Sequence, residues 1–388
     1  MKILSAKLFA IRIPFKHPFS HGLAVRRGTE SVVVQLTADT GETGFGEGAP
    51  RAYVTGETTA SCLAQIENVF LPAVFRHEFR DFSEYPAPAA LPAEIHDLLP
   101  AEGNGEVIAF HAAKCAVELA LLDVVLKHAG RPFGILLPPC GKSLIYSAVI
   151  SADDVKTARA ITTECVRSGM KYFKVKVGQG DDYERVAAVR EIAGDAASLR
   201  VDANGAFSET EALALLRKLC PLRIESMEQP VKRGDVRSLA RVKNNSPIPV
   251  MVDESLVTER DAMELIEHGA CGIFNLRISK NGGVYQTLRL AGIAHKAGLE
   301  VQIGCQAGET ALLSAAGRHL AAHIHDVKFL EGSYGRLLLE ADISREPMEF
   351  GLSGFAPLLK GAGLGIDVLE ESLKKYAVKT IEVSRKQI

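Results

Sequence analysis

Cysteine is scarce in this sequence and lacks the spacing of a metal or disulfide motif. The chain of 388 residues has seven cysteines, an odd number, and no two of them form a CxxC pair. Zinc sites and disulfide frameworks use cysteines in pairs, so we expect small buried side chains in a reducing, cytoplasmic compartment. The cysteines are Cys62, Cys115, Cys140, Cys165, Cys220, Cys271 and Cys305.

Long apolar runs and an excess of one charge are also lacking. No apolar run approaches the ~20 residues that cross a bilayer, and the first residues lack the basic-then-apolar order of a signal peptide. The formal net charge of −2 gives no global field for nucleic acid or an anionic membrane. We therefore expect a small-molecule partner, and a globular chain of more than one domain.

What the sequence does have is a repeat of short apolar runs, each ending in a characteristic residue. The intervals between these residues are 25 to 27 positions, and helical patterning fills the space between the runs. A strand, a loop and a helix in about 26 residues make a βα unit, and eight such units predict a barrel. An open doubly wound sheet is the alternative, but it does not need eight equal units. The landmarks are Ile150, Lys176, Asp202, Glu228, Asp253, Lys280, Cys305 and Glu331.

The two ends of the chain have a different pattern. Residues 1–130 contain alternating strands, KLFAIRIPF and ESVVVQLTADTGETGFGE, followed by helices over about 57–70 and 105–129. The tail ends in YAVKTIEVSR, a strand that needs a partner. We predict an α+β capping domain formed by residues 1–130 and joined by 350–388, with a barrel over residues 131–349.

Five landmarks in successive units predict a site. Active sites of such barrels lie at the carboxyl ends of the strands, where Lys176, Asp202, Glu228, Asp253 and Lys280 are expected to converge. A single acid at a strand end is more often a cap or a solvated group, but three neighbouring carboxylates repel one another unless a cation lies between them. Oxygen ligands alone favour Mg²⁺, with Mn²⁺ as a substitute.

The strand ends KVKVG, VDANG, MEQP, VDES and SKNGG resemble the enolase superfamily. The KxK pattern, with a lysine on the sixth strand, is similar to its muconate-lactonizing-enzyme subgroup. The resemblance covers nearly the whole chain and implies a modified TIM barrel of the (β/α)7β type with an α+β capping domain. It also implies a homo-oligomer.

The resemblance further implies roles for individual residues. Asp202, Glu228 and Asp253 would hold Mg²⁺, and Lys176 and Lys280 would be the acid/base groups on opposite faces of the substrate. Lys174 would lie near the substrate carboxylate, and its positive charge would help Lys176 to lose a proton near neutral pH. Asn204 of the VDANG motif is a further candidate for substrate contact.

The chemistry that follows is removal of a proton from the carbon beside a carboxylate, through an enediolate. Two lysines fit racemisation or epimerisation of an amino-acid derivative or dipeptide-like compound. One active lysine fits a cycloisomerase or lyase, by lactonisation, dehydration or a reaction like that of o-succinylbenzoate synthase. A non-catalytic binding protein is a remote alternative, because both lysines and all three acids are present.

Substrate choice is expected in the capping loops 18–30 and 46–58. There His21, Arg26, Arg27 and Arg51 could meet a distal anionic group, although each could equally be an exposed loop residue.

The eighth strand departs from the family pattern. The second capping loop is similar to that of dipeptide epimerases, but the family's Asp-x-Asp after the eighth strand is replaced by FLEGSYG. There Glu331 offers one carboxylate to an ammonium. After the seventh strand, Cys305 either shapes the pocket or packs, and packing is preferred.

Overall fold

The computed structural model describes residues 1–21, 24–137 and 144–387. Its strands form a four-stranded sheet, an eight-stranded sheet and two small two-stranded sheets. The strands are β1 Ile3–Ile11, β2 Pro14–His21, β3 Ala24–Gly28, β4 Ser31–Ala38, β5 Thr43–Gly48, β6 Leu144–Ile145, β7 Ala148–Ile150, β8 Tyr172–Lys176, β9 Ser198–Asp202, β10 Met227–Glu228, β11 Val250–Val252, β12 Ile273–Leu276, β13 Glu300–Ile303, β14 Val327–Leu330, β15 Phe355–Ala356 and β16 Ala377–Ser384.

Helices alternate with the strands of the larger sheet. Within the described ranges, none of the helices is both long and apolar enough to cross a membrane. The helices are α1 Thr59–Gln65, α2 Leu71–Arg76, α3 Ala90–Leu98, α4 His111–His128, α5 Val155–Arg167, α6 Asp182–Ala193, α7 Glu209–Leu219, α8 Val236–Asn245, α9 Glu259–Glu267, α10 Val284–Lys296, α11 Ala311–His323 and α12 Glu370–Tyr376.

The antiparallel sheet joins the two ends of the chain. Its strand order is β16-β1-β4-β5, so the tail strand pairs with the first strand, as the sequence predicts. Helix α4 packs closely on β5, where Gly44, Gly46 and Gly48 alternate along the strand. A Cβ atom at these positions would lie 2.3, 2.1 and 2.0 Å from backbone oxygens of α4, so only glycine permits this approach.

The predicted helices of this region differ in their bounds. Helical structure predicted over about 57–70 begins at Thr59 and continues to Arg76, with π-helical turns between α1 and α2. The long helix predicted over 105–129 begins only at His111, where the buried Glu57 carboxylate accepts hydrogen bonds from the N–H groups of Ala112 and Ala113. A buried carboxyl group at that helix N-terminus accepts hydrogen bonds from donors that the helix itself cannot pair.

The parallel sheet has eight strands in sequence order, β7 to β14. A hydrogen bond of 2.9 Å from Ser147 N to Leu330 O brings its two end strands together. Seven helices, α5 to α11, follow the first seven strands, whereas β14 is followed by a short 3₁₀ turn at Gly335–Leu337. The predicted modified TIM barrel of the (β/α)7β type with an α+β cap is confirmed. The boundaries of its two domains stay a prediction.

The helices of the barrel begin in different ways. Ser208 and Thr258 form capping boxes with Glu211 and Asp261. At α6, Asp181 adopts a left-handed backbone (φ 49°) and makes no capping bond. The next residue, Asp182, instead accepts from Gly178 N at 2.9 Å.

Two buried glutamates of the capping region hold helices that follow the strand ends. Glu118 accepts hydrogen bonds from Val284 N and Tyr285 N at the start of α10, at 2.5 and 3.2 Å. Glu47 accepts from the backbone and hydroxyl of Thr310, which precedes α11. Negative charge is favourable at a helix N-terminus, so these contacts fix the cap over the sixth and seventh βα units.

Candidate active site

The predicted acids converge at the carboxyl ends of neighbouring strands. Asp202 and Glu228 are the last residues of β9 and β10, and Asp253 follows β11 directly. Lys176 at the end of β8 lies opposite Asp202 in the parallel ladder, and Glu228 lies opposite Asp202 on its other side. All three carboxylates are fully buried, and we call this region the mouth.

Two lysines of β8 bind the acids of the mouth. Residues two apart in a strand face the same side, so Lys174 and Lys176 both point inward. Lys176 Nζ donates to Asp202 Oδ2 at 2.6 Å and to Asn204 Oδ1 at 2.7 Å. Lys174 Nζ donates to Glu331 Oε2 at 2.6 Å and to Glu228 Oε2 at 3.3 Å.

These contacts set the charge states of the mouth. Burial opposes the charged form of Lys174, but Glu228, Glu331 and Asp202 outweigh burial and raise the pKa of that lysine well above its ordinary value. Burial alone would raise the pKa of Asp202, but Lys176 and Lys174 hold it below its ordinary value. Lys174 is therefore held in its protonated form, and its predicted place near the substrate carboxylate stays a prediction.

Lys280 lies in the turn between β12 and α10, behind Asp253. Its Nζ donates to Asp253 O at 2.8 Å, Asp253 Oδ1 at 2.9 Å and Asn275 O at 2.8 Å. Burial lowers the pKa of Lys280, and His111 donates from Nδ1 to Lys280 O at 2.8 Å. The three acceptors orient Lys280 toward Asp253.

Arg277 occupies the position that faces the cavity. Its Nη2 contacts Asp253 Oδ2 and lies 3.5 Å from Glu228 Oε1, and its Nη1 donates to Gln306 Oε1 at 3.3 Å. Sequence reasoning missed this arginine, although it directly follows β12 in the same NLRISK segment that supplies Lys280.

Arg200 and Glu254 were missed as well. Arg200 Nη2 donates to Glu331 Oε1 at 2.5 Å inside the barrel. Glu254 accepts from Asn204 Nδ2 at 3.0 Å, and burial raises its pKa to about 7. The VDES motif already contained Glu254 beside Asp253, and the barrel periodicity placed Arg200 on an inward strand position.

The buried carboxylates fit a hard divalent cation in their chemistry. Oxygen ligands alone are those that Mg²⁺ prefers. Burial raises the pKa of Glu228, and the negative charge of Asp202 raises it further, whereas Lys174 lowers it. Added positive charge would therefore stabilise the ionised form of Glu228. In the described part of the chain, Glu254 Oε2 is buried without a hydrogen-bond partner, and Asp253 Oδ2 has only its ion-pair contact with Arg277.

The same carboxylates are engaged by internal cations. Across residues 1–21, 24–137 and 144–387, no set of three His, Cys, Asp or Glu side chains is arranged to hold a metal ion. Lys174 and Lys176 contact Asp202, while Arg277 and Lys280 contact Asp253. The chemistry of the donor set fits the cation, while Arg277 occupies Asp253 in this structure.

A cavity of about 180 Å³ opens at the mouth. It brings together four of the predicted residues, Lys174, Lys176, Asn204 and Glu331, whereas Lys280 is outside this lining. Cys305 also lines the cavity, so it shapes the pocket rather than only packing, and burial raises the pKa of its thiol. The lining residues are Phe19, Tyr53, Val149, Lys174, Lys176, Asn204, Glu254, Arg277, Cys305, Gln306, Ala307, Glu331, Tyr334, Leu337 and Leu338.

Arg26 and Arg51 are bound to other groups of the protein in this structure, and their contact with substrate stays a prediction. Arg51 is 2% exposed, and its guanidinium donates to the backbone oxygens of Glu30, Pro50 and Ala307 at 2.7 to 2.9 Å. Arg26 donates to Glu30 Oε2 at 2.8 Å. Neither lines the cavity.

Arg27 and His21 are the other two loop residues predicted to meet a distal anionic group. Arg27 is exposed and lies outside the cavity lining. The side chain of His21 lies outside the described residues, so its predicted role stays a prediction.

Known proteins resemble this chain over most of its length. Residues 156–372 match the family described as Enolase C-terminal domain-like. A hydrophobic dipeptide epimerase from Enterococcus faecalis is 32% identical over 375 residues, covering 94% of this chain and 99% of its own. A solved dipeptide epimerase from the same organism, complexed with Mg and L-Leu-L-Tyr, gives a TM-score of 0.82 at 31% identity and covers 95% and 100% of the two chains.

Two other solved structures are similar in fold and sequence. An N-succinyl Arg/Lys racemase from Bacillus cereus gives a TM-score of 0.87 at 29% identity, covering 99% and 100% of the two chains. A muconate lactonizing enzyme from Pseudomonas fluorescens, complexed with muconolactone, gives 0.86 at 29% identity, covering 97% and 99%.

Proposed function

The chain belongs to the Enolase C-terminal domain-like family, and on that premise we propose a Mg²⁺-dependent racemase or epimerase. It removes and returns the α-proton of a carboxylate substrate, an amino-acid derivative or a dipeptide-like compound. Relatives named as epimerases, racemases and lactonizing enzymes make it an isomerase of the enolase superfamily. The Mg in the complexed dipeptide epimerase and the buried acids of the mouth support the cofactor, with Mn²⁺ as a substitute.

The observation that carries the proposal is the convergence of Lys176 with three buried carboxylates beside a cavity. We assign Asp202, Glu228 and Asp253 to the cation and Lys176 and Lys280 to proton transfer. When bound, the cation would withdraw electron density from the substrate carboxylate and stabilise the second negative charge that α-proton loss creates.

The balance of charge explains how a lysine becomes a base. The mouth contains as many acidic side chains as basic ones, so their charges cancel when all of them are ionised. The acids are Asp202, Glu228, Asp253, Glu254 and Glu331, and the bases are Lys174, Lys176, Arg200, Arg277 and Lys280. A divalent cation and a monoanionic substrate together add one positive charge. That excess favours loss of a proton from one lysine, which otherwise remains protonated at neutral pH.

Each lysine then has a distinct task. Lys174, held protonated by its carboxylate partners, binds the substrate carboxylate. Lys176 borders the cavity and exchanges a proton with one face of the α-carbon. Lys280, whose pKa is lowered by burial, would exchange a proton with the opposite face. Removal on one face and return on the other inverts the carbon.

A cycloisomerase or lyase is the second candidate. The similarity to the muconate lactonizing enzyme supports it, because one active lysine suffices for proton removal in such reactions. A binding protein without catalysis is the remote alternative, since its site would not need both lysines.

Deuterium exchange tests the proposal. Single enantiomers of N-substituted amino acids and dipeptides are incubated with the enzyme and Mg²⁺ in D₂O and followed by NMR and chiral chromatography. A racemase or epimerase puts deuterium on the α-carbon and yields both configurations. A lyase or cycloisomerase gives a new compound. Substrate that binds without exchange contradicts catalysis.

Three broader proposals accompany this function. Residues 1–130 with 350–388 form the capping domain, and residues 131–349 form the barrel that carries the chemistry. The protein works as a homo-oligomer in the cytoplasm. The free thiols of the described cysteines fit that reducing compartment.

A further inference from the structure

The two lysines assigned to proton transfer are held by different parts of the fold. Lys176 ends β8, and its carbonyl oxygen accepts a hydrogen bond of 2.9 Å from Nη1 of Arg185 on α6. The N–H group of the next residue, Val177, donates to the carbonyl oxygen of Asp202 in β9 at 2.9 Å. These elements all belong to the barrel, so the barrel itself fixes the backbone of Lys176.

Lys280 lies in a turn that the capping region holds. We call residues 277–283, between β12 and α10, the Lys280 turn. The hydroxyl oxygen of Ser279 accepts a hydrogen bond from the N–H group of Ala49, which follows β5, at 2.8 Å. The carbonyl oxygen of Lys280 accepts one from Nδ1 of His111, the first residue of α4, at 2.8 Å. Two groups of the capping region therefore hold the turn that carries this lysine.

Helix α4 packs closely against the end of the Lys280 turn. A Cβ atom on Gly282 would lie 2.9 Å from Cδ2 of His111, and one on Gly283 would overlap the carboxylate of Glu118. Residues seven apart lie on the same face of a helix, so His111 and Glu118 approach the turn from one face of α4. This face leaves the backbone of the turn little freedom to move.

His111 is a neutral hydrogen-bond donor at this contact. Its side chain is 8% exposed, and burial lowers its pKa to about 4, so the ring carries no charge at neutral pH. A carbonyl oxygen can only accept, so the ring proton lies on Nδ1. The contact therefore fixes the direction of the turn without adding a positive charge beside the lysine.

We propose that His111 positions Lys280 for proton transfer, supported by Ser279, so that the capping region governs one of the two faces of the α-carbon. This inference rests on the proposed racemase or epimerase function with two lysine bases. In the described part of the chain, His111 is not among the residues that line the cavity, so it acts through Lys280. A displacement of about 1 Å in a reacting group can cost about 10²-fold in rate.

Two substitutions of equal shape at His111 test the inference. Asparagine and leucine both branch at Cγ, but only asparagine keeps an N–H donor where Nδ1 lies. For whichever N-acyl amino acid or dipeptide the wild type exchanges fastest, each configuration of the α-carbon is incubated with saturating Mg²⁺ in D₂O. The initial rate of α-proton loss is followed by NMR, and Lys280→Ala identifies the configuration that depends on this lysine.

His111→Leu should slow exchange of only one configuration. For the configuration that depends on Lys280, we expect a fall of about tenfold to 10²-fold, and for the other configuration an unchanged rate. His111→Asn should recover most of the lost rate, because it can donate to the same carbonyl oxygen. Ser279→Ala removes the other capping contact of the turn by a smaller change, and it should shift the ratio of the two rates in the same direction.

Asp123→Asn is the matched control on the same helix. Asp123 lies about three turns beyond His111 on α4, where it accepts hydrogen bonds from the N–H groups of Phe45 and Leu364 at 2.9 and 2.8 Å. Its replacement weakens the capping region away from the Lys280 turn. We therefore expect the ratio of the two exchange rates to stay that of the wild type.

The outcomes separate this inference from the proposed function. Absence of exchange by the wild type overturns the proposed function and, with it, the inference. Exchange by the wild type that falls equally for both configurations in His111→Leu, or does not fall, overturns the inference alone. A selective fall that His111→Asn fails to relieve also overturns it, because ring packing and not the hydrogen bond is then responsible. If His111→Leu does not fold, an unchanged ratio in Ser279→Ala overturns the inference.

Discussion

Asp253 divides its two carboxylate oxygens between Arg277 and Lys280. Arg277 Nη2 contacts Oδ2, and Lys280 Nζ donates to Oδ1 at 2.9 Å. Under the proposed function, the same carboxylate binds the cation and the same lysine exchanges a proton with substrate. Cation binding and the release of these two side chains are therefore expected to be linked, since one carboxylate cannot fully satisfy three positive charges.

Replacing Arg277 by methionine should tighten Mg²⁺ binding. The guanidinium competes with the cation for Asp253 and Glu228, and removing a charge at this distance is expected to lower the Kd about tenfold or more. Titration calorimetry without substrate measures the effect. Arg289→Met, which removes an exposed ion pair with Glu259, is the control and should leave the Kd unchanged. Equal or weaker Mg²⁺ binding by Arg277→Met refutes the competition.

Removing either lysine should impair proton transfer on one face of the α-carbon and spare proton transfer on the other face. Lys176→Ala and Lys280→Ala are each expected to lower α-proton exchange by about 10²- to 10⁴-fold, the usual contribution of a general acid or base. Each variant should retain residual α-proton exchange with only one substrate enantiomer, and that enantiomer should differ between the two variants. Circular dichroism and Mg²⁺ titration verify that each variant is folded. If either variant still racemises at the normal rate, the two-base assignment is wrong.

Glu57 should make stability depend on pH. Burial raises its pKa to about 7 from an ordinary 4.5, so the folded chain holds this proton more tightly than the unfolded chain. The resulting stability is fully present below pH 4.5 and is lost as the pH rises through 7.

Urea unfolding of the wild type and Glu57→Gln at pH 5 and pH 8 measures this contribution. Relative to the variant, the wild type is expected to lose up to about 3 kcal/mol between these values. Glu42→Gln, at an exposed turn, is the control. A difference between wild type and Glu57→Gln that stays constant with pH contradicts the buried titration.

Arg51 is expected to stabilise the folded structure and not to bind a charged group of the substrate. Its hydrogen bonds to backbone oxygens join the capping loop to Ala307 beside the cavity. Arg51→Lys cannot reproduce this fork, so we expect a loss of about 1–3 kcal/mol in unfolding free energy. The fractional fall in kcat/KM should be equal for N-succinyl-L-leucine, which ends in a carboxylate, and N-pentanoyl-L-leucine, which ends in an ethyl group. A fall confined to the succinyl compound would restore Arg51 as an anion-binding residue.

The sequence predicts the elements whose positions follow from strand periodicity. Strand ends spaced 25 to 27 residues apart align Lys176, Asp202, Glu228 and Asp253 because parallel strands share one carboxyl edge. The pairing of the tail strand with β1 also follows, because a lone strand needs a partner.

What the sequence does not predict depends on side-chain torsions and loop docking. Arg277 and Lys280 are three residues apart in one turn, and only the packing of that turn decides which of them faces the cavity. Arg51 looks like a loop cation until its carbonyl partners, one of them 256 positions away, are known. Asp181 precedes a helix at a suitable position, but its left-handed backbone prevents capping.

A crystal structure with Mg²⁺ and a non-reacting carboxylate ligand tests the central claim most directly. We expect one ion in contact with Asp202, Glu228 and Asp253, with Arg277 displaced from Asp253. We also expect the Nζ atoms of Lys176 and Lys280 on opposite faces of the ligand's α-carbon. An ion that fails to contact all three carboxylates, or a Lys280 still directed away from the ligand, would contradict it.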